Sequence, residues 1–331
     1  MTPAQGATIF GCAGPVLLPD ERAFFRDADP FGFILFARNV DTPDQLRRLT
    51  ADLRKAVGRD APILIDQEGG RVQRLRAPHW REWDTPLDTV ERAGSLARAA
   101  LLMRLRAQVI AAELAAVGID ANCAPVADVA RAETHAFLRN RCYGTDPATV
   151  ATIARAVADG LLSGGVLPVV KHLPGHGRSH LDTHLALPTV TVGLDDLREV
   201  DFAPFRALAD MPMAMTAHLV FAALDPGLPA TQSPTMIRLI REDIGFQGLL
   251  MTDDLNMEAL SGTLADRTIR SMSAGVDIAL HCKGDLAEMR AVAGSAGTMT
   301  PAAMARAGAA LALRRRVEAD VPALLAALAH G

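Results

Sequence analysis

Short apolar segments alternate with longer amphipathic segments along most of the chain. The apolar segments are rich in Val, Ile, Leu and Phe, and they predict strands at Ala7–Gly14, Phe31–Ala37, Ile63–Asp66, Gly118–Ala124, Val166–Lys171, Ala214–Leu219, Leu249–Asp253 and Val276–His281. Many are apolar throughout rather than alternating, which is typical of parallel strands covered on both faces. The helical period predicts helices at Pro43–Val57, Val90–Val117, Pro147–Ser163, Leu194–Ala209, Pro234–Glu242 and Thr263–Ala274, with one or two closing helices between Pro301 and His330.

Eight such strands with crossover helices predict an α/β fold, a single (β/α)8 TIM-type barrel. The chain has 331 residues, and neither a Gly/Ser-rich nor a Pro-rich linker divides it, so we expect one catalytic domain over residues 1–331. An open, doubly wound sheet is the alternative that the pattern leaves open.

The charge balance bears on the class of partner. The formal net charge is -4, and no block of like charge stands out, so the chain offers no electrostatic reason to bind nucleic acid or an anionic membrane. No uninterrupted run of about 20 apolar residues is present, and the N-terminal segment lacks the basic residues of an export signal. The four cysteines form no CxxC pair and read as reduced thiols. We therefore expect a cytoplasmic monomer with a small ligand.

One His-rich segment follows the predicted strand that ends at Lys171. His172, His176, His180 and His184 recur every four residues, although Pro and Gly between the first two break the helix that a stacked metal site would need. Loop-stabilising histidines and a metal site remain alternatives to a catalytic role. Asp182, two residues before His184, favours catalysis, because a carboxylate at that distance can orient the imidazole and tune its proton affinity.

Carboxylates also end two other predicted strands. Asp253 is placed to point into the barrel mouth as a nucleophile, whereas its neighbour Asp254 is better interpreted as the N-cap of the following helix. Asp66 ends another strand, and Gly69–Gly70 allow close approach of the backbone to a ligand. Arg74 either reaches back over that site or lies on a surface helix.

Together these pieces resemble glycoside hydrolase family 3, and specifically its single-domain bacterial β-N-acetylhexosaminidases of the cell-wall recycling type. The motifs FGFILFARN, IDQEGGRVQR, APVADV, NRCYGTD, KHLPGHG with DTH, and TDDLNM carry this resemblance over nearly the whole chain. It implies that Asp253 is the nucleophile, His184 the general acid/base and Asp182 its partner. The positions that it implies for holding the terminal sugar are Asp66, Arg74, Arg141, Lys171 and His172. The chain departs from the family pattern at Leu173, at Cys142–Tyr143 and in Arg178-Ser179-His180, and we expect these differences to change the shape of the pocket.

The resemblance implies a retaining exo-β-N-acetylglucosaminidase without metal or cofactor. Its expected substrates are small carbohydrates or muropeptides in which N-acetylglucosamine is linked to 1,6-anhydro-N-acetylmuramic acid. The sequence leaves two other functions open. One is a phosphorolytic enzyme, since a neutral histidine would not repel phosphate, and the other is a catalytically silent sugar-binding barrel. It also leaves open an internal attack by the 2-acetamido group of the substrate.

Overall fold

The computed structural model describes residues 5–179, 187–315 and 317–330. Eight parallel strands close into a barrel in which each strand pairs with its sequence neighbours and the last pairs with the first, through Thr8 and Ala279. These strands are β1 (Gly6–Gly11), β2 (Pro30–Leu35), β3 (Ile63–Ile65), β4 (Ala121–Asn122), β5 (Leu167–Leu173), β6 (Met213–Thr216), β7 (Leu249–Asp254) and β8 (Ile278–His281). The predicted TIM-type barrel is confirmed, and closure excludes the open sheet.

Helices surround the barrel and follow its strands. They are α1 (Pro19–Ala28), α2 (Pro43–Val57), α3 (Leu96–Ala115), α4 (Pro147–Ser163), α5 (Ala203–Ala207), α6 (Pro234–Glu242), α7 (Leu264–Ala274), α8 (Leu286–Ala296), α9 (Pro301–Leu311) and α10 (Val321–His330). The predicted bounds of α2, α4 and α6 are confirmed. In each, Pro occupies the first helical position, and the side chain of the preceding Thr42, Asp146 or Ser233 accepts a hydrogen bond from the first turn.

Two predicted helices are interrupted. The predicted Val90–Val117 helix is wrong as one unit, because Gly94 has a φ of 76° and separates a short helix, Pro86–Arg92, from α3. The predicted Leu194–Ala209 helix consists of one turn at Leu194–Asp196, a π-helical segment at Leu197–Asp201, and α5.

The apolar side chains form two main cores. The larger lies between the strands and the surrounding helices, and the second fills the barrel. Met299, Ala303 and Ala307 belong to the inner core, and Thr298 pairs with Gly6 at the start of β1. Helix α9 therefore covers the amino end of the barrel and leaves the carboxyl end for the site. In the part of the chain that is described, no helix is long and apolar enough to cross a membrane.

Candidate active site

The carboxyl end of the barrel opens into a cavity with about 840 Å³ of empty space. Six of the predicted catalytic and sugar-binding residues line it: Asp66, Arg74, Arg141, Lys171, His172 and Asp253. Two further predicted site residues, Asp182 and His184, lie outside the described residues, as does His180.

Local structure explains how the first of these residues meet. Asp66 directly follows β3, and the chain then forms a small hairpin, in which Gln67–Gly69 pairs with Val72–Gln73. Gly69 and Gly70 both have positive φ, which permits the tight turn. The hairpin returns Arg74 to the cavity, where its Nη2 donates to Asp66 Oδ2 at 2.9 Å. Arg74 thus lies over the site and not on a surface helix.

A network of alternating charges forms the floor of the cavity. Lys171 Nζ donates to Asp66 Oδ1 at 2.8 Å and forms an ion pair with Glu68 Oε1 at 2.7 Å, and its side chain is only 2% exposed. Burial alone would raise the pKa of Asp66, but Lys171 and Arg74 outweigh it and hold that pKa well below its usual range. Burial would likewise lower the pKa of Lys171, and Asp66 with Glu68 raises it instead. Both groups are therefore charged at neutral pH.

Glu68 is the member of this network that the sequence analysis missed. Arg141 donates to it twice, from Nε and from Nη2, both at 2.9 Å, and Lys171 adds an ion pair. The Glu68 side chain is 2% exposed and does not line the cavity. Glu68 therefore links Arg141 and Lys171, which both line the cavity, although Glu68 itself does not line it. The one sequence feature that could have indicated Glu68 is its position inside the IDQEGG motif.

Asp128 holds His172 and His176 in the same way, and the sequence analysis missed it as well. Its Oδ2 lies 2.7 Å from His172 Nδ1, and its Oδ1 accepts from the backbone N–H of His176 at 2.7 Å. Burial would raise the pKa of Asp128, and His172 more than offsets this, so the carboxylate stays ionised. The carboxylate accordingly fixes Nδ1 of His172 and leaves Nε2 as the ring nitrogen that can reach a ligand. Asp128 lies within the APVADV motif.

Asp253 is the next-to-last residue of strand β7, and it faces the cavity. The backbone N–H of Asp254 donates to Asp253 Oδ1 at 2.8 Å. Burial would raise the pKa of Asp253, but His172, that N–H and Lys171 lower it below its ordinary value. The group is an oriented, ionised carboxylate.

The interpretation of Asp254 as a helix N-cap is wrong. Helix α7 begins ten residues later, and the side chain of Thr263 caps it. Asp254 Oδ1 instead accepts from the backbone N–H groups of Asn256 and Cys282, both at 3.1 Å. Asp254 thus ties the loop after β7 to the end of β8.

The predicted pocket-shape residues contribute less to the cavity than expected. Leu173, Cys142 and Tyr143 are all buried, and none lines the described part of the cavity. Its apolar walls come from other side chains, which the sequence analysis did not single out: Phe36, Val72, Phe137 and Met257. All four come from the connections that follow barrel strands, Val72 from the hairpin and Phe137 from the short helix Ala136–Arg139, and they carry no periodic signal.

A metal site was the alternative interpretation of the four histidines. His172 and His176 lie with ring centroids 5.3 Å apart, and burial lowers the pKa of His176 to about 4, which keeps that ring neutral. Among the described residues, no group of three or more His, Cys, Asp or Glu side chains could hold a metal ion. The other two histidines of the series are not described.

A closed parallel barrel with charged side chains gathered at its carboxyl end defines an enzyme of the TIM-barrel class. The floor, where carboxylates alternate with basic groups, suits a ligand with many hydroxyl groups.

The chain matches the glycosyl hydrolase family 3 N terminal domain over residues 20–312. It therefore belongs to glycosyl hydrolase family 3, and it is a glycoside hydrolase.

Its relatives include proteins named beta-hexosaminidase. That of Alkalilimnicola ehrlichii is 36% identical over 282 residues, which are 84% of this chain and 80% of the relative. That of Pseudomonas aeruginosa is 32% identical over 281 residues, which are 84% of this chain and 82% of the relative.

Solved structures of NagZ from Neisseria gonorrhoeae share the fold. The complex with N-trifluoroacetyl-D-glucosamine has a TM-score of 0.86 and 31% identity, covering 99% of this chain and 97% of that one. The complex with a zinc ion has a TM-score of 0.86 and 30% identity, covering 98% and 97%.

Proposed function

We propose that this glycoside hydrolase is a retaining exo-β-N-acetylglucosaminidase that removes a terminal β-linked N-acetylglucosamine. The beta-hexosaminidase relatives support the activity on N-acetylhexosamine. The observation that carries the retaining mechanism is the ionised, oriented carboxylate of Asp253 in the cavity. A buried anion of this kind both attacks the anomeric carbon and stabilises the cationic transition state.

The charged floor binds the terminal sugar. A carboxylate offers about four acceptor positions, and Asp66 uses two of them on Lys171 and Arg74. The other two accept hydrogen bonds from sugar hydroxyls, while Arg141 and His172 donate to ring substituents. Because these groups are already fixed by ion pairs, they orient the sugar without first having to be ordered themselves.

In the first step, protonated His184 gives its proton to the glycosidic oxygen as Asp253 attacks the anomeric carbon and the aglycone leaves. In the second step, neutral His184 takes a proton from water, and the water oxygen displaces Asp253 to release the sugar with retained configuration. Asp182 orients the imidazole and stabilises its cationic form. This role for the Asp182/His184 pair rests on the family resemblance.

We propose muropeptides as the natural substrates, with the enzyme acting as a cytoplasmic monomer. The family resemblance implies this substrate class, and the similar NagZ structure with N-trifluoroacetyl-D-glucosamine supports its amino-sugar part. The reducing compartment is supported by four cysteines that are all free, three of them buried. Product analysis with purified anhydromuropeptides tests the substrate, and the appearance of a sugar 1-phosphate in phosphate buffer would indicate phosphorolysis instead.

A trapping experiment tests the nucleophile. A 5-fluorinated N-acetylglucosaminyl donor slows the second step, so the protein should gain one sugar as an ester of Asp253, found by peptide mass spectrometry. Asp253→Ala should lose turnover while still binding N-acetylglucosamine. An oxazoline product without any adduct would show that the 2-acetamido group is the nucleophile and would overturn the assignment.

Leaving-group dependence tests the acid/base pair. His184→Ala should slow substrates with poor leaving groups far more than nitrophenyl glycosides, because a nitrophenolate departs without a proton. The second step still needs a base, so azide, which attacks without deprotonation, should restore turnover. Asp182→Ala should show a milder version of both effects. Equal losses on good and poor leaving groups, without azide rescue, would move the role to another group, with His176 the next candidate.

A further inference from the structure

His218 is a buried residue outside the cavity that the mechanism above does not use. It follows β6 by two residues, it is 0% exposed, and it does not line the cavity. Its Nε2 lies 3.1 Å from the backbone carbonyl oxygen of Asp254, and its Nδ1 lies 2.8 Å from Thr231 Oγ1. The ring therefore contacts the residue next to Asp253.

The strand carrying Asp253 is irregular at this point. Met251 pairs with Ile278 and Asp254 pairs with Leu280, so β7 has one more residue than β8 between these pairs, as in a β-bulge. On the other side, the backbone pairing with β6 ends at Met251 and Met215. Beyond that pair, His218 supplies the bond to the Asp254 carbonyl that a strand neighbour would otherwise supply.

The hydrogen-bond partners define the tautomer of His218. A carbonyl oxygen can only accept, so Nε2 carries a proton. Burial lowers the pKa of His218 despite the nearby Asp253 carboxylate, so the ring is neutral and Nδ1 is an acceptor. The single hydroxyl proton of Thr231 lies within reach of this Nδ1 at 2.8 Å and of the backbone carbonyl oxygen of Ala217 at 3.0 Å. Thr231 Oγ1 also lies 2.8 Å from Thr216 Oγ1. Thr231 is therefore the group that offers a proton to Nδ1, while the Asp254 carbonyl keeps the ring proton on Nε2.

We propose that His218, held in one tautomer by Thr231, is the positioning residue for the nucleophile Asp253. The Asp253–Asp254 unit is fixed at both of its polar ends. The Asp254 N–H holds Asp253 Oδ1, and the Asp254 carbonyl is held by His218. Loss of the second bond frees the bulge to rotate, and the carboxylate then moves away from the anomeric carbon. This inference rests on the proposed role of Asp253.

The test compares two substitutions of similar length. His218→Gln places an amide N–H near the position of Nε2, whereas His218→Met offers no donor. We expect His218→Met to lower kcat, and the rate of Asp253 labelling by the fluorinated donor, by about 100-fold, the scale of a misplacement of about 1 Å. His218→Gln should restore most of both rates. The Kd for N-acetylglucosamine should stay within about twofold of wild type in both, because the sugar-binding floor is untouched.

A second pair tests the tautomer without altering the ring. Thr231→Val removes the proton donor to Nδ1, and Thr231→Ser retains it. The 15N resonances of His218 should indicate a protonated Nε2 in the wild type and in Thr231→Ser, and a mixture of tautomers in Thr231→Val. The labelling rate should fall only in Thr231→Val.

The outcomes separate this inference from the proposed function. If wild-type protein is labelled at Asp253 but His218→Gln and His218→Met are labelled at equal rates, His218 does not position the nucleophile, whatever its effect on folding. Labelling of the wild type at a residue other than Asp253 would overturn the proposed nucleophile itself, and this inference with it.

Discussion

Replacing Glu68 by Gln removes one negative charge from beneath the cavity while keeping the shape of the side chain. Two charge-assisted hydrogen bonds from Arg141 and an ion pair with Lys171 end on this carboxylate. Because each of these three contacts is about 1 kcal/mol stronger with a carboxylate than with a neutral amide, the free energy of unfolding should fall by about 3 kcal/mol. With an unfolding entropy of about 2.1 cal/mol/K per residue over 331 residues, Tm should drop by about 4 °C.

Activity should fall further than stability, because both cations, Arg141 and Lys171, belong to the proposed sugar-binding floor. We expect kcat/KM on a nitrophenyl N-acetylglucosaminide to fall about 100-fold. Glu82→Gln is the matched control. Its ion pair with Arg76 at 2.8 Å is 42–49% exposed, so that change should leave Tm and activity nearly unaltered. A Glu68→Gln enzyme with wild-type kcat/KM would refute the idea that Glu68 organises the site.

The dependence of Tm on pH in the acid range provides a second test of the role of Glu68. Burial would raise the pKa of Glu68, but Arg141 and Lys171 lower it below its value in the unfolded chain. Its contribution is therefore complete above the unfolded pKa of about 4.3 and is lost as the pH falls through the lowered folded value. The Tm difference between wild type and Glu68→Gln should be constant from pH 8 to pH 5 and shrink below pH 4.

Three further predictions concern other parts of the molecule. Burial lowers the pKa of His281 to about 4, so below pH 6.5 the unfolded chain takes up a proton that the folded chain does not. This difference costs roughly 3 kcal/mol of folding free energy by pH 4. His281→Gln should therefore flatten the fall of Tm between pH 6.5 and pH 4, and an unchanged slope would contradict the prediction. Asp277 is buried at the amino end of the barrel, where it bonds to Arg241 at 2.7 Å and to Arg306 at 2.8 Å. Asp277→Ala should lower the free energy of unfolding, measured in urea, by about 3–5 kcal/mol, while the folded enzyme keeps its kcat. Asp44→Ala, at an exposed ion pair, is the control. Activity should survive exhaustive chelation, because the proposed steps use side chains alone, and a loss that zinc restores would revive the histidine metal site.

The barrel could be predicted because local signals and the global pattern agree. Where a cap residue precedes Pro, as in Thr42–Pro43, the first residue of the helix follows from the sequence. The prediction failed where a polar break lay inside an apolar period. Ser95 caps α3 directly after Gly94, yet the apolar residues on either side continue the same period and disguise the break.

The candidate site was predictable only in part. Residues at or near the end of a predicted strand, such as Asp66, Lys171 and Asp253, must meet at one end of a closed barrel, so their position in the strand pattern is enough. Glu68 and Asp128 could not be found this way, because their importance lies in partners that are 103 and 44 positions away along the chain, Lys171 and His172. Spacing carries no record of such pairing.

The paired charges at the cavity floor also affect which molecules bind weakly to the enzyme. The three cations Arg74, Arg141 and Lys171 are balanced by three carboxylates, Asp66 and Glu68 through ion pairs and Asp253 across the cavity, so the described site has no net positive charge to offer a phosphorylated sugar. A sugar phosphate that entered would have to give up its hydration shell for cations that are already committed, next to the negative charge of Asp253. The pool of phosphorylated metabolites in a cell would then compete poorly with neutral glycosides, and the enzyme would work in their presence without a dedicated barrier against them.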